Sequence, residues 1–356
     1  MTVSAFDHPY LSGFVGDEEV ASFFSAAAEL EAMLAFEVAL AKAEAIAGVI
    51  PADAAHAIER AAHLFSPDVA SLRAATARDG VVVPDLVRQL RVVVGEPHGH
   101  CLHFGATSQD VIDSGLMLRL SRVLALLEDR LDGLIGALAA FSVTFGGQSL
   151  MARTRMQPAI PITVADRLDA WRQPLERVAE RLEIFALEGL SVQFGGAAGT
   201  LEKLGDKAAT VRAALADELG LADTPQWHSQ RDRIGELAGL LAAITGSLGK
   251  IGQDIALMAD RSEEIVLSGG GGSSTMPHKQ NPVAAEILVT LARFNAVQLG
   301  GMAQAAVHEQ ERSGAAWTLE WLILPQMVVA AGTSLRLAGE LLASIRQLGS
   351  LSDEIQ

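Results

Sequence analysis

Residues 111–145 read VIDSGLMLRLSRVLALLEDRLDGLIGALAAFSVTF, a long run without proline. Apolar side chains recur in it at steps of three and four residues, which is the period of one face of an α-helix. These apolar positions are Ile112, Leu116, Leu120, Leu124, Leu127, Leu131, Leu134, Leu138 and Phe141. The stretch therefore predicts one helix that is much longer than the average helix of a globular domain.

Four further segments repeat this pattern and predict a long helical bundle. They are residues 162–190, with a kink expected at Pro174, and residues 234–267, 283–308 and 319–348. Shorter helices are predicted at residues 20–48, 52–65 and 84–94. The predicted fold class is all-α, because Ala and Leu dominate and only 5% of the residues are aromatic. Apolar stripes on more than one side of a long helix also predict packing against another subunit.

The formal net charge of −16 argues against nucleic acid and anionic membranes as partners, because both attract basic surfaces. Residues 133–152 carry no charge, but their glycines and polar residues predict a buried helix end and loop and not a membrane span. The first twenty residues contain no Lys or Arg, so we expect no signal peptide. The single cysteine, Cys101, excludes an intramolecular disulfide and fits a cytoplasmic protein.

A glycine-rich segment at residues 269–282 reads GGGGSSTMPHKQNP. Its four glycines allow the backbone to approach a ligand closely. Asn281 and Pro282 predict a helix start, with Asn as the N-cap and Pro as the first helical residue. Ser273 would then lie on a mobile loop near Lys279 and the positive end of a helix, a setting that stabilises an alkoxide. The alternative is a solvated linker, which the dense MPHKQNP part does not favour.

Two more polar segments lie next to predicted long helices. The first contains Thr107, Ser108 and Gln109, and Asp110 completes the spacing of a capping box if Thr107 is the N-cap. The alternative is that these residues only cap a helix, although capping and anion binding use the same N–H groups. The second segment contains Arg153, Thr154, Arg155 and Gln157, and its alternative is a basic surface turn. Arg312 adds another cation after a predicted helix.

Three other kinds of site are less well supported. His98, His100, Cys101 and His103 are potential metal ligands, but no second cluster completes a site. No Gly-Lys-Ser/Thr follows the glycine run, so it is not a P-loop. Ser273 also lacks the Gly-x-Ser-x-Gly context of a serine hydrolase.

Together the three polar segments resemble the fumarase/aspartase superfamily, which includes adenylosuccinate and argininosuccinate lyases. GSSTMPHKQNP at residues 272–282 resembles its signature, GATSQD at 105–110 its first motif and RTRMQ at 153–157 its second, in the same order. WHSQRDR at 227–233, together with Glu311, Arg312, Ser313, Trp317, Glu320 and Trp321, resembles a lactone-forming cycloisomerase branch of the superfamily.

The resemblance implies three all-α domains, which we place at residues 1–104, 105–335 and 336–356. The last would be a truncated remnant of the C-terminal domain. It also implies a homotetramer with a twenty-helix core, in which motifs from three subunits build each active site. No metal or organic cofactor would take part. Ser273 and Lys279 would be catalytic, and substrate binding would fall to Thr107, Ser108, Gln109, Arg153, Thr154, Arg155, Gln157, Gln230, Asn281 and Arg312.

Arg155 distinguishes between the reactions of the superfamily. The elimination lyases usually carry a histidine at this position, which serves the leaving or attacking group. A carboxylate that attacks within its own molecule is already ionised at neutral pH and needs no base. The resemblance with Arg155 therefore implies lactonisation of a small tricarboxylate, 3-carboxy-cis,cis-muconate. An adenylosuccinate lyase-like enzyme that releases fumarate and a non-catalytic structural relative remain alternatives.

Overall fold

The computed structural model describes residues 4–261, 264–272 and 280–350, which contain twelve α-helices and six short β-strands. The helices are α1 (Ser12–Val15), α2 (Glu18–Ser22), α3 (Ala26–Ile46), α4 (Ala52–Leu64), α5 (Val69–Asp79), α6 (Val83–Val94), α7 (Ser108–Phe145), α8 (Val164–Glu188), α9 (Ala208–Leu219), α10 (Asp232–Arg261), α11 (Val283–Ala305) and α12 (Ala315–Ser344). The strands are β1 (Ser149–Thr154), β2 (Gln157–Thr163), β3 (Ile265–Leu267), β4 (Gly271–Gly272), β5 (Gln280–Asn281) and β6 (Ile345–Leu348). The predicted all-α class is confirmed, because the strands form only two-stranded pairs.

Three long helices of the bundle, α7, α10 and α12, run in the same direction. Trp317 at the start of α12 donates to Asp113 at the start of α7, at 3.0 Å. Further along both helices, Arg130 donates to the carbonyl of Gly332 at 3.1 Å. Arg231, immediately before α10, donates to the same Asp113 at 2.7 Å. We call the end where these three helices begin the proximal end of the bundle, and the opposite end the distal end.

The other two long helices, α8 and α11, run in the opposite direction, from the distal end to the proximal end. Trp171 near the start of α8 donates to Asp254 near the end of α10, at 2.8 Å. Asn295 in the second half of α11 donates to the carbonyl of Met327 in the first half of α12, at 3.1 Å. The distal end therefore holds the β1–β2 hairpin, the antiparallel β3–β6 pair and the β4–β5 pair. Since α7 has 38 residues, it separates the two ends by about 57 Å.

Several helix bounds differ from the predictions where a turn or strand interrupts the apolar period. Residues 20–48 form two helices, because Ser25 caps α3 by accepting the N–H of Ala28 at 3.2 Å. The ends predicted as helical at residues 162–163, 265–267 and 345–348 are strands that pair with another segment. The helices α5 and α9 were not predicted, since both are short and show no clear apolar stripe. The helix α8 runs through Pro174.

The predicted domain boundaries fall at different kinds of position. Gly105, at the first boundary, has a φ of 73° and lies just before α7. The second boundary lies inside α12, which is continuous from Ala315 to Ser344. The division into three domains stays a prediction.

Among the described residues, three helices are long and apolar enough, by length and composition alone, to cross a membrane. They cover residues 232–260, 283–305 and 315–344, and residues 133–152 are not among them. The protein itself buries 56% and 72% of the most apolar window in the first and third, but only 22% in the second. The helix α11 is therefore the least covered of the three by its own chain, and Val283 and Val297 are its exposed large apolar residues.

A buried carboxyl group on α3 makes the stability of the fold depend on pH. Glu44 is fully buried, and neither carboxyl oxygen has a hydrogen-bond partner in the described part of the chain. Burial, reinforced by the charge of Glu37, raises the pKa of Glu44 from 4.5 to about 9. The folded chain thus holds a proton that the unfolded chain releases above its ordinary pKa.

We expect Glu44→Gln to stabilise the protein at pH 8 and to change its stability little at pH 5. As the pH rises from 4.5 toward 9, the unfolded wild type loses this proton while the folded state keeps it, so wild-type stability falls. The neutral amide removes that loss, which is worth about 3–5 kcal/mol at pH 8. Urea unfolding at both pH values measures the difference. Glu31→Gln, on the exposed side of the same helix, is the control, and an equal gain at both pH values for Glu44→Gln would contradict the assignment.

Candidate active site

A cleft of about 890 Å³ opens at the proximal end of the bundle. It lies between the end of α5 and the starts of α7 and α12, and Ser108, Gln109, Arg312, Trp317 and Trp321 are among its lining residues. The amino ends of two long helices therefore face one cleft. Backbone N–H groups and the helix dipole favour anions at such ends, so the cleft suits a carboxylate.

Arg312 is the only Lys or Arg among the described residues that line this cleft. Its Nη1 donates to Thr107 Oγ1 at 3.1 Å, and its Nη2 donates to the carbonyls of Gly196 and Ala197 at 3.3 and 3.1 Å. The side chain is nevertheless exposed, so N–H groups remain available to a ligand. The structure thus brings Thr107, Ser108 and Arg312 together, as a shared anion site requires.

The carboxylate of Asp110 holds this part of the site in place through hydrogen bonds. Thr107 is the N-cap of α7, and its N–H donates to Asp110 Oδ2 at 3.0 Å, which confirms the predicted capping role. The carboxylate is fully buried and accepts four further hydrogen bonds of 2.8–3.1 Å. Their donors are the N–H groups of Gly195 and Gly196, Gln193 Nε2 and His228 Nε2. A Cβ at Gly195 would approach His228 to 2.8 Å, so this close packing requires glycine.

Gln109 takes part in a second buried network. Its Nε2 donates to Asp113 Oδ2 at 3.0 Å and to the carbonyl of His228 at 2.9 Å. Arg231 in turn bridges Asp113 and Glu320, with N–O distances of 2.6–3.2 Å. Both amide protons of Gln109 are therefore already engaged. A contact between Gln109 and a substrate carboxylate stays a prediction, and it would require this network to open.

One predicted residue does not line the cleft, and several residues at or beneath it were not predicted. Gln230 is exposed, donates to the carbonyl of Gln226 at 3.1 Å and is not among the lining residues of the cleft. Sequence reasoning missed residues 79–81, which form one wall of the cleft, and the buried carboxylate of Asp113. Asp113 falls on the apolar stripe of α7, three residues before Leu116. An acid at such a position indicates a buried ion pair, and this signal could have identified it.

The second predicted segment forms the tip of the β1–β2 hairpin at the distal end. Arg155 and Met156 make a two-residue turn with φ values of 47° and 68°, and Thr154 pairs with Gln157 on either side of it. The turn exposes all four of these residues. Arg153 is half-buried, and its Nε is buried without a hydrogen-bond partner among the described residues.

The described residues of the glycine-rich segment, 269–272 and 280–282, also lie at the distal end. Ser273 and Lys279 fall outside the described residues. Gly271 pairs with Asn281 across β4 and β5. The prediction that Asn281 is the N-cap of α11 is wrong: Pro282 occupies that position, because the backbone of Asn281 is taken up by the strand pair.

The proximal and distal candidates cannot meet within one chain. They are separated by α7, which is about 57 Å long, and a strand of six residues such as β1 reaches at most about 20 Å. Arg155 is ten residues beyond the end of α7 and can reach back at most about 33 Å, so it lies at least about 24 Å from Thr107, whatever the direction of the hairpin. The proximal candidates are Thr107, Ser108, Gln109, Gln230 and Arg312, and the distal candidates are Arg153, Thr154, Arg155, Gln157 and Asn281.

The histidine-rich segment before Gly105 forms contacts of a different kind. His103 Nδ1 lies 2.6 Å from Glu37 Oε1. Burial, the largest influence, disfavours a charged ring, but the carboxylates of Glu37 and Asp110 outweigh it and raise the pKa of His103. Cys101 is a buried free thiol, 3.5 Å from His100 Nε2. In the parts of the chain that the structure describes, no three His, Cys, Asp or Glu side chains are placed to hold a metal ion.

Comparisons with known proteins agree with this architecture. A family model described as "Lyase" matches residues 16–297. The 3-carboxy-cis,cis-muconate cycloisomerase of Pseudomonas aeruginosa is 41% identical over 331 residues, which cover 90% of this chain and 72% of that protein.

Two solved structures have the same fold. The 3-carboxy-cis,cis-muconate lactonizing enzyme from Pseudomonas putida matches with a TM-score of 0.90 and 37% identity, covering 96% of this chain and 78% of that one. A fumarate lyase from a Mesorhizobium species matches with a TM-score of 0.86 and 34% identity, covering 94% of this chain and 76% of that one.

We expect Asp110→Asn to lower the free energy of unfolding by about 3–5 kcal/mol, because the amide nitrogen would face donors that now bind a carboxylate. Urea unfolding followed by circular dichroism measures the loss. Asp166→Asn is the matched control, since Asp166 occupies the same position at the exposed start of α8 and accepts only from Thr163. That variant should lose about 1 kcal/mol or less. Equal losses for the two variants would show that Asp110 is an ordinary cap.

Proposed function

Because the chain belongs to the lyase family whose model matches residues 16–297, we propose that it acts on a small carboxylate, closing 3-carboxy-cis,cis-muconate to a carboxymuconolactone. The observation that carries this proposal is the similarity to 3-carboxy-cis,cis-muconate cycloisomerases over nine-tenths of the chain. The anion-binding cleft at the proximal end supports it, since the substrate carries three carboxylates. The reaction would belong to the breakdown of protocatechuate, in the cytoplasm.

Charge balance in the cleft supports a site shared between chains. Three substrate carboxylates need several donors, but Arg312 is the one cation among the described residues of the cleft. Arginine binds carboxylates best through its planar fork, so the exposed Arg155 is suited to supply a second contact. Arg155 lies at the distal end, and only another chain could bring it to the cleft. Arg153 is a further distal cation that would approach with it, and Lys279, which falls outside the described residues, would add another.

A homotetramer would bring the distal end of one chain to the proximal end of another. The sparse coverage of α11 by its own chain supports such an assembly, because a helix of this hydropathy is expected to pack against a partner. Closed point-group symmetry would repeat the contact and form equivalent sites. Three subunits would then contribute to each site.

The reaction itself needs little from the protein beyond positioning and a proton. One substrate carboxylate attacks the double bond, a C–O bond forms, and the π electrons move to the carbon next to another carboxylate. The resulting aci-carboxylate would be held by Thr107, Ser108, Arg155, Gln157 and Asn281. Ser273 then delivers a proton to that carbon and Lys279 stabilises the serine alkoxide. No electrons enter or leave, so the balance calls for no redox cofactor.

A lyase that releases fumarate is the second candidate, and the likeness to a fumarate lyase structure favours it. Such a reaction requires a group that protonates the leaving atom. A guanidinium does not deprotonate near neutral pH, so Arg155 cannot fill that role. The cycloisomerase is therefore the better proposal.

The purified protein should consume 3-carboxymuconate, measured as loss of the ultraviolet absorbance of the diene, faster than it cleaves adenylosuccinate.

Ser273→Ala should leave the protein folded but lower turnover by about 10²–10⁴-fold, which is the usual contribution of positioned proton transfer. Ser274→Ala is the control and should change turnover much less. Faster cleavage of adenylosuccinate by the wild type would replace the proposal with the second candidate, and a greater loss at Ser274 would mean that the other hydroxyl is catalytic.

Two inactive variants should restore activity when their subunits are mixed. Arg312→Ala removes the cation of the cleft, and Ser273→Ala removes the proposed proton donor, which another chain would supply. After unfolding and refolding together in equal amounts, about a quarter of the sites should draw both intact parts from different chains. Activity near a quarter of the wild type is therefore expected, and each variant refolded alone is the control. No recovery in a mixture that forms tetramers would contradict the shared site.

A further inference from the structure

A cluster of four titratable side chains lies beneath the proximal cleft. Arg231 donates to Glu320 at 2.6 and 2.8 Å and to Asp113 at 2.7 and 3.2 Å. All three side chains are at most 3% exposed. One cation therefore faces two carboxylates, and the cluster carries one uncompensated negative charge when both are ionised.

The fourth member of the cluster is His308, in the turn after α11. Its side chain is fully buried, and its Nε2 lies 3.6 Å from Glu320 Oε1. Neither ring nitrogen makes a hydrogen bond of good geometry with a described residue, although the carbonyl of Ala305 lies near the ring. A buried polar group without a partner is unusual, and here a small movement would create one. A proton on the ring would cancel the excess negative charge and form a charge-assisted bond to Glu320.

The groups that face His308 come from each neighbouring segment. They are Arg231 before α10, Asp113 of α7, Glu320 of α12, the adjacent Glu309 and the carbonyl of Ala305. Burial, the largest influence, and Arg231 lower the pKa of His308, while Asp113 and Glu309 oppose them. Burial likewise raises the pKa of Glu320. The ring is therefore neutral at pH 7 and takes up its proton below its ordinary pKa of 6.5.

The cluster is in direct contact with the floor of the cleft. Asp113 also accepts hydrogen bonds from Trp317 Nε1 and Gln109 Nε2, both at 3.0 Å. Trp317 and Gln109 are both among the residues that line the cleft, although each is buried. His308 itself lies four residues before Arg312. Any change in how Arg231 divides its donors between Glu320 and Asp113 therefore reaches two lining residues through one shared carboxylate.

We propose that His308 is a positioning residue that makes the geometry of the cleft depend on pH. With a neutral ring, Arg231 is shared between Glu320 and Asp113, and Asp113 holds Trp317 and Gln109 as observed. When His308 gains a proton, it draws Glu320 away from Arg231, the guanidinium shifts toward Asp113, and the cleft floor moves. The inference rests on the proposed function for its kinetic test only.

Two measurements between pH 5.5 and 8 test this proposal with His308→Gln, whose side chain cannot be protonated. The substrate carboxylates stay ionised in this range, so they do not contribute to the profile. Wild-type kcat should fall as the pH is lowered from 7.5 to 5.5, most steeply at the acid end because the pKa of His308 is lowered, while the variant should lose much less. Tryptophan fluorescence of the wild type without substrate should change over the same interval, and that of the variant should not. His56→Gln, on the exposed side of α4, should behave as the wild type.

The possible outcomes separate this inference from the proposed function. An identical pH profile of kcat and fluorescence in wild type and His308→Gln would overturn the role of His308. A loss of kcat in the variant by the same factor at every pH would show a purely structural role and would also overturn it. If 3-carboxymuconate is not a substrate, the proposed function fails, and the fluorescence measurement alone decides the inference. If His308→Gln does not fold, His308→Asn and the wild-type fluorescence titration take its place, and a flat wild-type titration overturns the inference.

Discussion

The buried carboxylate of Asp110 joins three segments that are far apart in the sequence. It binds the start of α7, the glycine-rich turn at residues 193–197 and the imidazole of His228. A buried charge is tolerated only when hydrogen bonds replace its water, so all three segments must be in place at once. The carbonyls that receive Arg312 belong to the same turn, and its hydroxyl contact, Thr107, belongs to the same cap. The exposed cation of the cleft is thus positioned by an anion that a ligand never touches.

The length of the helices imposes a second constraint. A bundle whose helices extend for tens of ångströms is stiff along its axis, and its loops lie only at its two ends. Polar groups in those loops are consequently divided into two sets, with Arg312 in one and Arg155 in the other. A single chain can bind with either set but cannot combine them. The same apolar helices that keep the sets apart also provide α11 with a surface on which chains can associate.

The period of the apolar residues was sufficient to predict all five long helices, and the spacing from Thr107 to Asp110 was sufficient to predict the cap of α7. Both are local properties, set within a few turns of one segment. The errors arose where distant segments decide the structure. Asn281 has the sequence of an N-cap, but pairing with Gly271 takes up its backbone. Gly271 lies ten residues before Asn281, so no local spacing indicates the pairing. Gln109 as a substrate ligand stays a prediction, although Asp113 and the carbonyl of His228 engage its amide.

A net charge of −16 would keep anions out of the cleft only if its repulsion acted equally at all distances. In physiological salt the field of a surface charge decays over roughly 8 Å. A molecule that fits inside the cleft is within that distance of Arg312 and of two helix amino ends, and it is attracted. A polyanion too large to enter remains outside, where the acidic surface repels it. The cleft and the surface therefore act together as a filter that admits anions according to their size.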